Sequence, residues 1–177
     1  LADGDEERPM RRLVVVALFV LSGCAGIPEG IEPVENFELE PYLGTWYEIA
    51  RLDHSFQRGL SNVTANYSLR EDGGVAVLNR GYHAGKGEWD EAKGKAYFIG
   101  DPSIGRLKVS FFGPFYGSYN VFELGDNYEY SMVAGPDRSY LWILARQPQL
   151  PQAMFDELLS KAEAAGYDTS KLILVEH

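Results

Sequence analysis

The chain has 177 residues, a length that points to one domain. Its residues are 45% hydrophobic and 13% aromatic, enough for a packed core and too much for a disordered chain. A net charge of −10, with no block of basic residues, excludes a partner held through nucleic-acid phosphates.

The first element is not part of the fold. In "MRRLVVVALFVLSGCAG" two arginines precede an apolar run, Leu13 to Leu21, and then small residues. That order marks an export signal, and the run is too short to span a bilayer as a helix. The acidic stretch ahead of Met10 does not belong in such a signal, so Met10 is read as the true start. Leu21-Ser22-Gly23-Cys24 resembles a bacterial lipobox, which implies cleavage after residue 23, acylation of Cys24 and anchoring in a membrane. Cys24 is the single cysteine, so no intrachain disulfide can form. Residues 24–36 then form a short lipidated tether and residues 37–177 the folded domain. Ala25, following the cysteine, resembles the signal that sends such lipoproteins to the outer membrane, facing the periplasm.

From Tyr42 onward the chain reads as strands with turn punctuation. "GTWYEIARL" is the first strand, and a polar loop, "DHSFQRGLSN", follows it. "VTANYSLRED" and "VAVLNRGY" form a hairpin around Gly73-Gly74. "HAGKGEWDEAKG" reads as a loop, "KAYFIGDP" and "GRLKVSFF" as two strands, and "GPFYG" as an aromatic loop. Two further strands flank Gly125-Asp126-Asn127, and "PDRSYLWILAR" supplies the eighth. The predicted class is all-β: an eight-stranded antiparallel up-and-down barrel. After Pro148 and Pro151 the period changes. Met154, Phe155, Leu158, Leu159 and Ala162 fall at helical spacing up to Gly166, predicting one C-terminal helix packed outside the barrel. "KLILVEH" reads as a last short strand.

Alternation sets the inward faces. Trp46, Glu48 and Ala50 point in from the first strand, and Trp142, Leu144 and Arg146 share a face on the eighth. First and last strands of a closed barrel are neighbours, so Trp46 meets Arg146, an indole under a guanidinium. Gly44 is expected where a Cβ would collide as the chain crosses the base. Gly44, Trp46 and Arg146 are therefore read as a structural barrel floor.

These residues resemble the lipocalin family, with Gly44-Thr45-Trp46 standing as its first signature and Arg146 as its third. Gly125-Asp126-Asn127-Tyr128 takes the place of the second and departs from it. "YLGTWYEIARLDHSFQRG", "VTANYSLREDGG", "KVSFFGPFYGSYNV" and "GPDRSYLWILARQP" resemble the bacterial and apolipoprotein D-like members, over roughly Phe37 to Val175. The resemblance implies a barrel with one open mouth and a cavity for a lipophilic guest, such as a fatty acid or lysophospholipid. It implies guest contacts at Tyr67, Asn79 and Trp142, then at Phe111 and the "FFGPFYG" loop. Inward alternation adds Ala65, Leu69, Val75, Val77, Leu107 and Val109 as lining, an apolar and aromatic set. Asn79 is the expected polar anchor, its alternative being a hydrogen bond to Tyr67 or Glu48.

No catalytic or nucleotide-binding signature appears in the sequence. His54, His83 and His177 lie in two loops and at the terminus; His54 and His83 could meet at the mouth as a metal or haem site but, with no thiolate beside them, read as solvated, so no metal and no cofactor are expected. Glu48 is the one inward carboxylate and hence the only candidate for catalysis, and the chain is read as a binding protein. Two alternatives stand beside the carrier: a structural lipoprotein whose barrel is filled by its own aromatics, and an enzyme acting on lipids. Arg58 and Lys86 in mouth loops would offset the acidic surface for an anionic guest. The aromatic mouth offers a contact surface for a second copy, as a homodimer.

Overall fold

The computed structural model describes residues 26–177; the expected export signal, residues 1–23, and Cys24 lie outside the described residues. A short helix α1 (Leu39–Tyr42) leads into β1 (Gly44–Arg51), β2 (Leu60–Leu69), β3 (Val75–His83), β4 (Glu88–Phe98), β5 (Arg106–Phe112), β6 (Phe115–Leu124), β7 (Tyr130–Ala134) and β8 (Leu141–Ala145). Helix α2 (Gln152–Ala164), a single 3-10 turn and β9 (Ile173–Leu174) complete the chain. Neighbouring strands are antiparallel, and β1 pairs with both β2 and β8, so eight strands close into a barrel without free edges. The β2–β3, β4–β5 and β6–β7 turns lie at the end where β1 starts, the floor. The other four inter-strand loops surround the mouth.

Alternation separates two cores across one sheet. On β8, Leu141 and Ile143 join the outer core, whereas Trp142 and Leu144 face the interior. The outer core also holds Met132, Ala134, Leu158 and Ala162, so the apolar stripe of α2 packs against β7, β8 and β1. Gly166, at φ +86°, ends that helical segment in the left-handed conformation glycine tolerates.

Three sequence expectations change. Residues Glu88 to Gly94 form strand, not loop: β4 pairs with β3 from His83↔Glu88 to Val75↔Ala96. Its charged residues hide the strand pattern, since Glu, Asp, Lys and Gly are poor strand formers. The "GPFYG" loop shrinks to Gly113-Pro114, because β6 already begins at Phe115. A bulge between Glu48 and Ala50 reverses the alternation within β1. Ala50 therefore packs in the outer core, and Arg51 takes the inward direction beside Glu48.

The floor pair forms as expected, with the Arg146 guanidinium 3.8 Å from the centre of the Trp46 ring. Gly44 needs a different explanation. A Cβ there would sit 3.7 Å from Arg146 Nη1, an ordinary contact, but its φ of +90° strains any other residue.

The seam between β1 and β2 is paired strand to strand only in its floor half, from Gly44↔Tyr67 to Tyr47↔Thr64. Toward the mouth the C-terminal segment takes over. β9 pairs with Ala50 and Arg51, Val175 N donates to Ile49 O at 3.0 Å, and Asn62 N donates to Glu176 O at 2.6 Å. Backbone groups left over by the bulge are thereby satisfied.

Candidate functional site: an apolar barrel cavity

The barrel is not filled by its own side chains. It encloses a cavity of about 790 Å³ that opens at the mouth, within the range of small-molecule sites. Tyr67, Val77, Asn79, Val109, Phe111 and Trp142 all line it, contributed by β2, β3, β5 and β8. Strand alternation delivers each of them: Val77 pairs with Tyr67 and Asn79 with Ala65, all facing in. Leu69 does not line the cavity. It lies at the floor end of β2 and is 61% exposed, because alternation continues past the point where the floor side chains close the interior.

The deep end is polar but self-satisfied. Tyr42 Oη lies 2.8 Å from Tyr119 Oη and 2.9 Å from Ser131 Oγ, and Tyr67 Oη lies 2.9 Å from Tyr119 Oη. Burial pushes the Tyr42 phenol up to about 12 and the Tyr67 and Tyr119 phenols well above their ordinary value. All three stay protonated at neutral pH, as hydrogen-bond donors. Sequence reasoning missed Tyr42 and Tyr119, since the first precedes the strand pattern and the second depends on the β6 register.

On the mouth side, a buried ion pair is built into the wall. Arg51 Nη1 donates to Glu48 Oε1 at 2.7 Å, and Gln57 Nε2 donates to Glu48 Oε2 at 2.7 Å. Arg51 Nη2 donates to the Gln57 carbonyl at 2.8 Å, and Trp142 Nε1 donates to Gln57 Oε1 at 2.9 Å. Burial pushes the Glu48 carboxyl above its usual range; Arg51 and the hydrogen bonds pull it back. Glu48 is not the only acid at the cavity, because Asp90 and Glu91 border its rim. Arg51 and Gln57 escaped sequence reasoning because the bulge aims the first inward and the mouth loop carries the second.

Asn79 differs from these groups. Its Oδ1 is buried and has no partner; Tyr67 bonds Tyr119, and Glu48 bonds Arg51 and Gln57. Neither intramolecular alternative is realised, so this cavity-lining residue carries a buried acceptor whose hydrogen-bonding capacity is unused.

The histidines do not behave as one group. His54, expected in solvent, is 5% exposed and stacks between Phe56 at 5.1 Å and Tyr140 at 4.7 Å. The aromatic loop residues around it exclude water, and burial holds its pKa below the ordinary value. His83 lies beside Gly59 and Gly85, and His177 bonds the Glu48 carbonyl at 2.9 Å. Among the described residues, no group of three or more His, Cys, Asp or Glu side chains could hold a metal ion. Arg58 pairs with Asp53, and Lys86 with Asp90 and Glu88, so these mouth cations are already neutralised.

Comparison with known proteins agrees with this architecture. A family profile described as Lipocalin-like domain matches residues 37–177. The chain is 55% identical over 164 residues to "Outer membrane lipoprotein Blc" of Vibrio cholerae, covering 92% of this chain and 96% of that protein. It is 51% identical over 173 residues to the protein of the same name in Escherichia coli K12, covering 94% and 98%. Apolipoprotein D of Macaca fascicularis is 32% identical over 182 residues, covering 93% and 95%. Among solved structures, insecticyanin of Manduca sexta superposes with a TM-score of 0.69 at 20% identity, over 86% of this chain and 87% of that one, which speaks to the fold. A closed barrel, a Gly-x-Trp floor stapled by an arginine, and relatives this similar over nearly their whole length place the chain in the lipocalin family.

Proposed function

We propose that this chain is a lipid-anchored carrier that takes up fatty acids and lysophospholipids at the bacterial outer membrane. Binding of lipophilic guests follows from the family, and outer-membrane placement from the relatives that carry that name. The anchor is the diacylated Cys24, exposed after removal of residues 1–23; of the expected tether, residues 24–36, the part from Gly26 on is held against the barrel, with Ile31 buried in the outer core. The single observation that carries the guest reading is the open cavity, apolar along most of its wall, with the unpartnered Asn79 Oδ1 and Ser118 Oγ among its lining residues.

An acyl chain lies against Val77, Val109, Phe111 and Trp142, and each methylene buried there is worth about 0.8 kcal/mol before the cost of association. The polar head supplies a donor to Asn79, such as a glycerol hydroxyl or a protonated carboxyl. The carrier acts by binding and not by catalysis. Glu48, the candidate acid, has both carboxylate oxygens engaged, one by Arg51 and the other by Gln57.

Native mass spectrometry of the chain purified without added lipid tests this reading. The expected result is a co-purifying mass in the fatty-acid or lysophospholipid range, reduced in Val77→Trp, which narrows the cavity. A chain that is empty and also ignores a fluorescent fatty acid overturns it in favour of a purely structural lipoprotein.

A further inference from the structure

The described chain begins beside the mouth. Asn120 Nδ2 donates to the Gly26 carbonyl at 3.3 Å and to the Gly135 carbonyl at 3.2 Å, in the β7–β8 loop. A Cβ on Gly26 would lie 3.2 Å from the Pro136 carbonyl, and Arg138 of the same loop bonds the Glu29 carbonyl. From there the chain descends the outside of the barrel. Val34 N bonds Val121 O and Phe37 N bonds Ser103 O, before α1 crosses the floor into β1. The segment thus joins the domain at its open end.

The exposed apolar side chains are distributed with the same bias. Among the described residues, the large exposed hydrophobics are Phe56, Leu69, Trp89, Phe112, Phe115, Ile173 and Leu174. Phe56 lies in the β1–β2 loop, Trp89 at the mouth end of β4, and Phe112 and Phe115 face each other across the β5–β6 hairpin tip. These last two are 81% and 77% exposed. Ile173 and Leu174 pair with the mouth half of β1, which leaves Leu69 alone at the floor. An apolar rim around an opening is a surface awaiting a partner.

We infer that the rim of the mouth, led by Phe112 and Phe115, docks onto the surface of a zwitterionic phospholipid bilayer, so that the cavity opens directly onto the membrane. This inference rests on the acylation of Cys24 proposed above. Cys24 is two residues from Gly26, a reach of up to about 7 Å. Phe115 lies five residues beyond Asn120 along β6, about 17 Å of strand, or roughly 13 Å of height once a barrel strand is tilted. The difference is comparable to a headgroup layer of about 5–7 Å. An acylated Cys24 at the bilayer surface therefore leaves the hairpin tip level with the interface. Aromatic side chains favour that depth, and an apolar contact is the second attachment that a lipid anchor ordinarily uses.

Charge selects the kind of bilayer. The mouth cations Arg58, Lys86 and Arg80 are paired with Asp53, Asp90 and Glu91, and the chain carries −10 overall. Arg138 of the β7–β8 loop donates to the Glu29 and Ala165 carbonyls, and with no cluster of free cations among the described rim residues docking is apolar and insensitive to salt. A guest then passes between bilayer and cavity without exposing its acyl chain to water.

The test uses the full acylated chain reconstituted in phosphatidylcholine vesicles carrying shallow spin-labelled lipid. Tryptophan is introduced as Phe112→Trp, Phe115→Trp or, at the floor, Leu69→Trp. The expected result is loss of most of the added emission at 112 and 115, a blue shift, no loss at 69, and no change on raising the salt. Quenching at 69 instead, or at neither end, overturns the inference. So does a mouth that is unquenched while cross-linking shows two copies joined through residues 112 and 115. Acylation itself is read separately, from the N-terminal mass and the membrane partition of Cys24→Ser, so failure of the anchor is told apart from failure of the orientation.

Discussion

The guanidinium of Arg146 lies 3.8 Å above the ring of Trp46 and also donates to the carbonyls of Thr45 at 2.9 Å and Tyr128 at 3.3 Å. One side chain thereby joins the start of β1, the end of β8 and the β6–β7 turn, with Pro41 of the crossing segment as a further acceptor. Removing it as Arg146→Ala is expected to destabilise the barrel by about 2–4 kcal/mol, from the stacked cation and several charge-assisted hydrogen bonds at a half-exposed site. Arg146→Lys should recover only part of this, because a point charge cannot serve three directions and a ring face together. The shift of the urea midpoint at constant slope measures it.

The Glu48–Arg51 pair makes a sharper prediction, because both side chains are buried. Glu48→Gln leaves a guanidinium without its counter-charge and should cost about 3–5 kcal/mol. Combining it with Arg51→Met removes the stranded charge and should restore much of that loss. A double mutant as unstable as the single one would show that Arg51 does not depend on Glu48. If Glu48 served catalysis, the loss in Glu48→Gln would appear as lipid turnover abolished in a chain of unchanged stability.

Asn79 separates stability from binding. Asn79→Leu deletes an acceptor that no protein group uses, so thermal stability should stay level or rise by up to about 1 kcal/mol. Affinity for a guest with a hydroxyl-bearing head should fall by roughly 1 kcal/mol or more, about five-fold or greater, while a pure hydrocarbon probe binds as before. Titration of the two probes against both chains decides the point. Equal losses for both would indicate a packing role.

His54 sets a pH dependence whose sign follows from its environment. Burial, and then the Arg51 charge, holds its folded pKa below the ordinary 6.5. Between the two values the unfolded chain binds more protons, so this contribution is present above about pH 6.5 and is lost as the pH falls. Replacing His54 with Phe keeps an aromatic ring between Phe56 and Tyr140 and removes the titration. The urea midpoint of His54→Phe should therefore vary less than the parent's between about pH 5 and pH 6.5. An unchanged profile would mean that other groups carry the acid sensitivity.

Much of the cavity wall was legible from residue order, and the exceptions share a cause. Val77, Val109, Phe111 and Trp142 line it because a strand exposes every second residue to one side. Leu69 obeys the same period and still misses, because the floor closes before its position is reached. Ala50 and Arg51 exchange faces at a bulge, an insertion that alternation has no means to register. His54, flanked by polar loop residues, is buried by Phe56 and Tyr140, the second of them far away in sequence.

The sequence by itself determined the barrel, the outer helix, and the meeting of Trp46 with Arg146, because these follow from local period and from the adjacency of first and last strands. Only the tertiary structure decided that the interior is a cavity of about 790 Å³ and not a filled core, since Tyr42, Tyr67 and Tyr119 gather at the floor end through their hydroxyls and leave the middle open. It also decided that Arg51 faces inward and that Gly26 stands at the mouth. These are long-range matters of register, closure and chain direction, in which groups far apart in sequence compete for the same space.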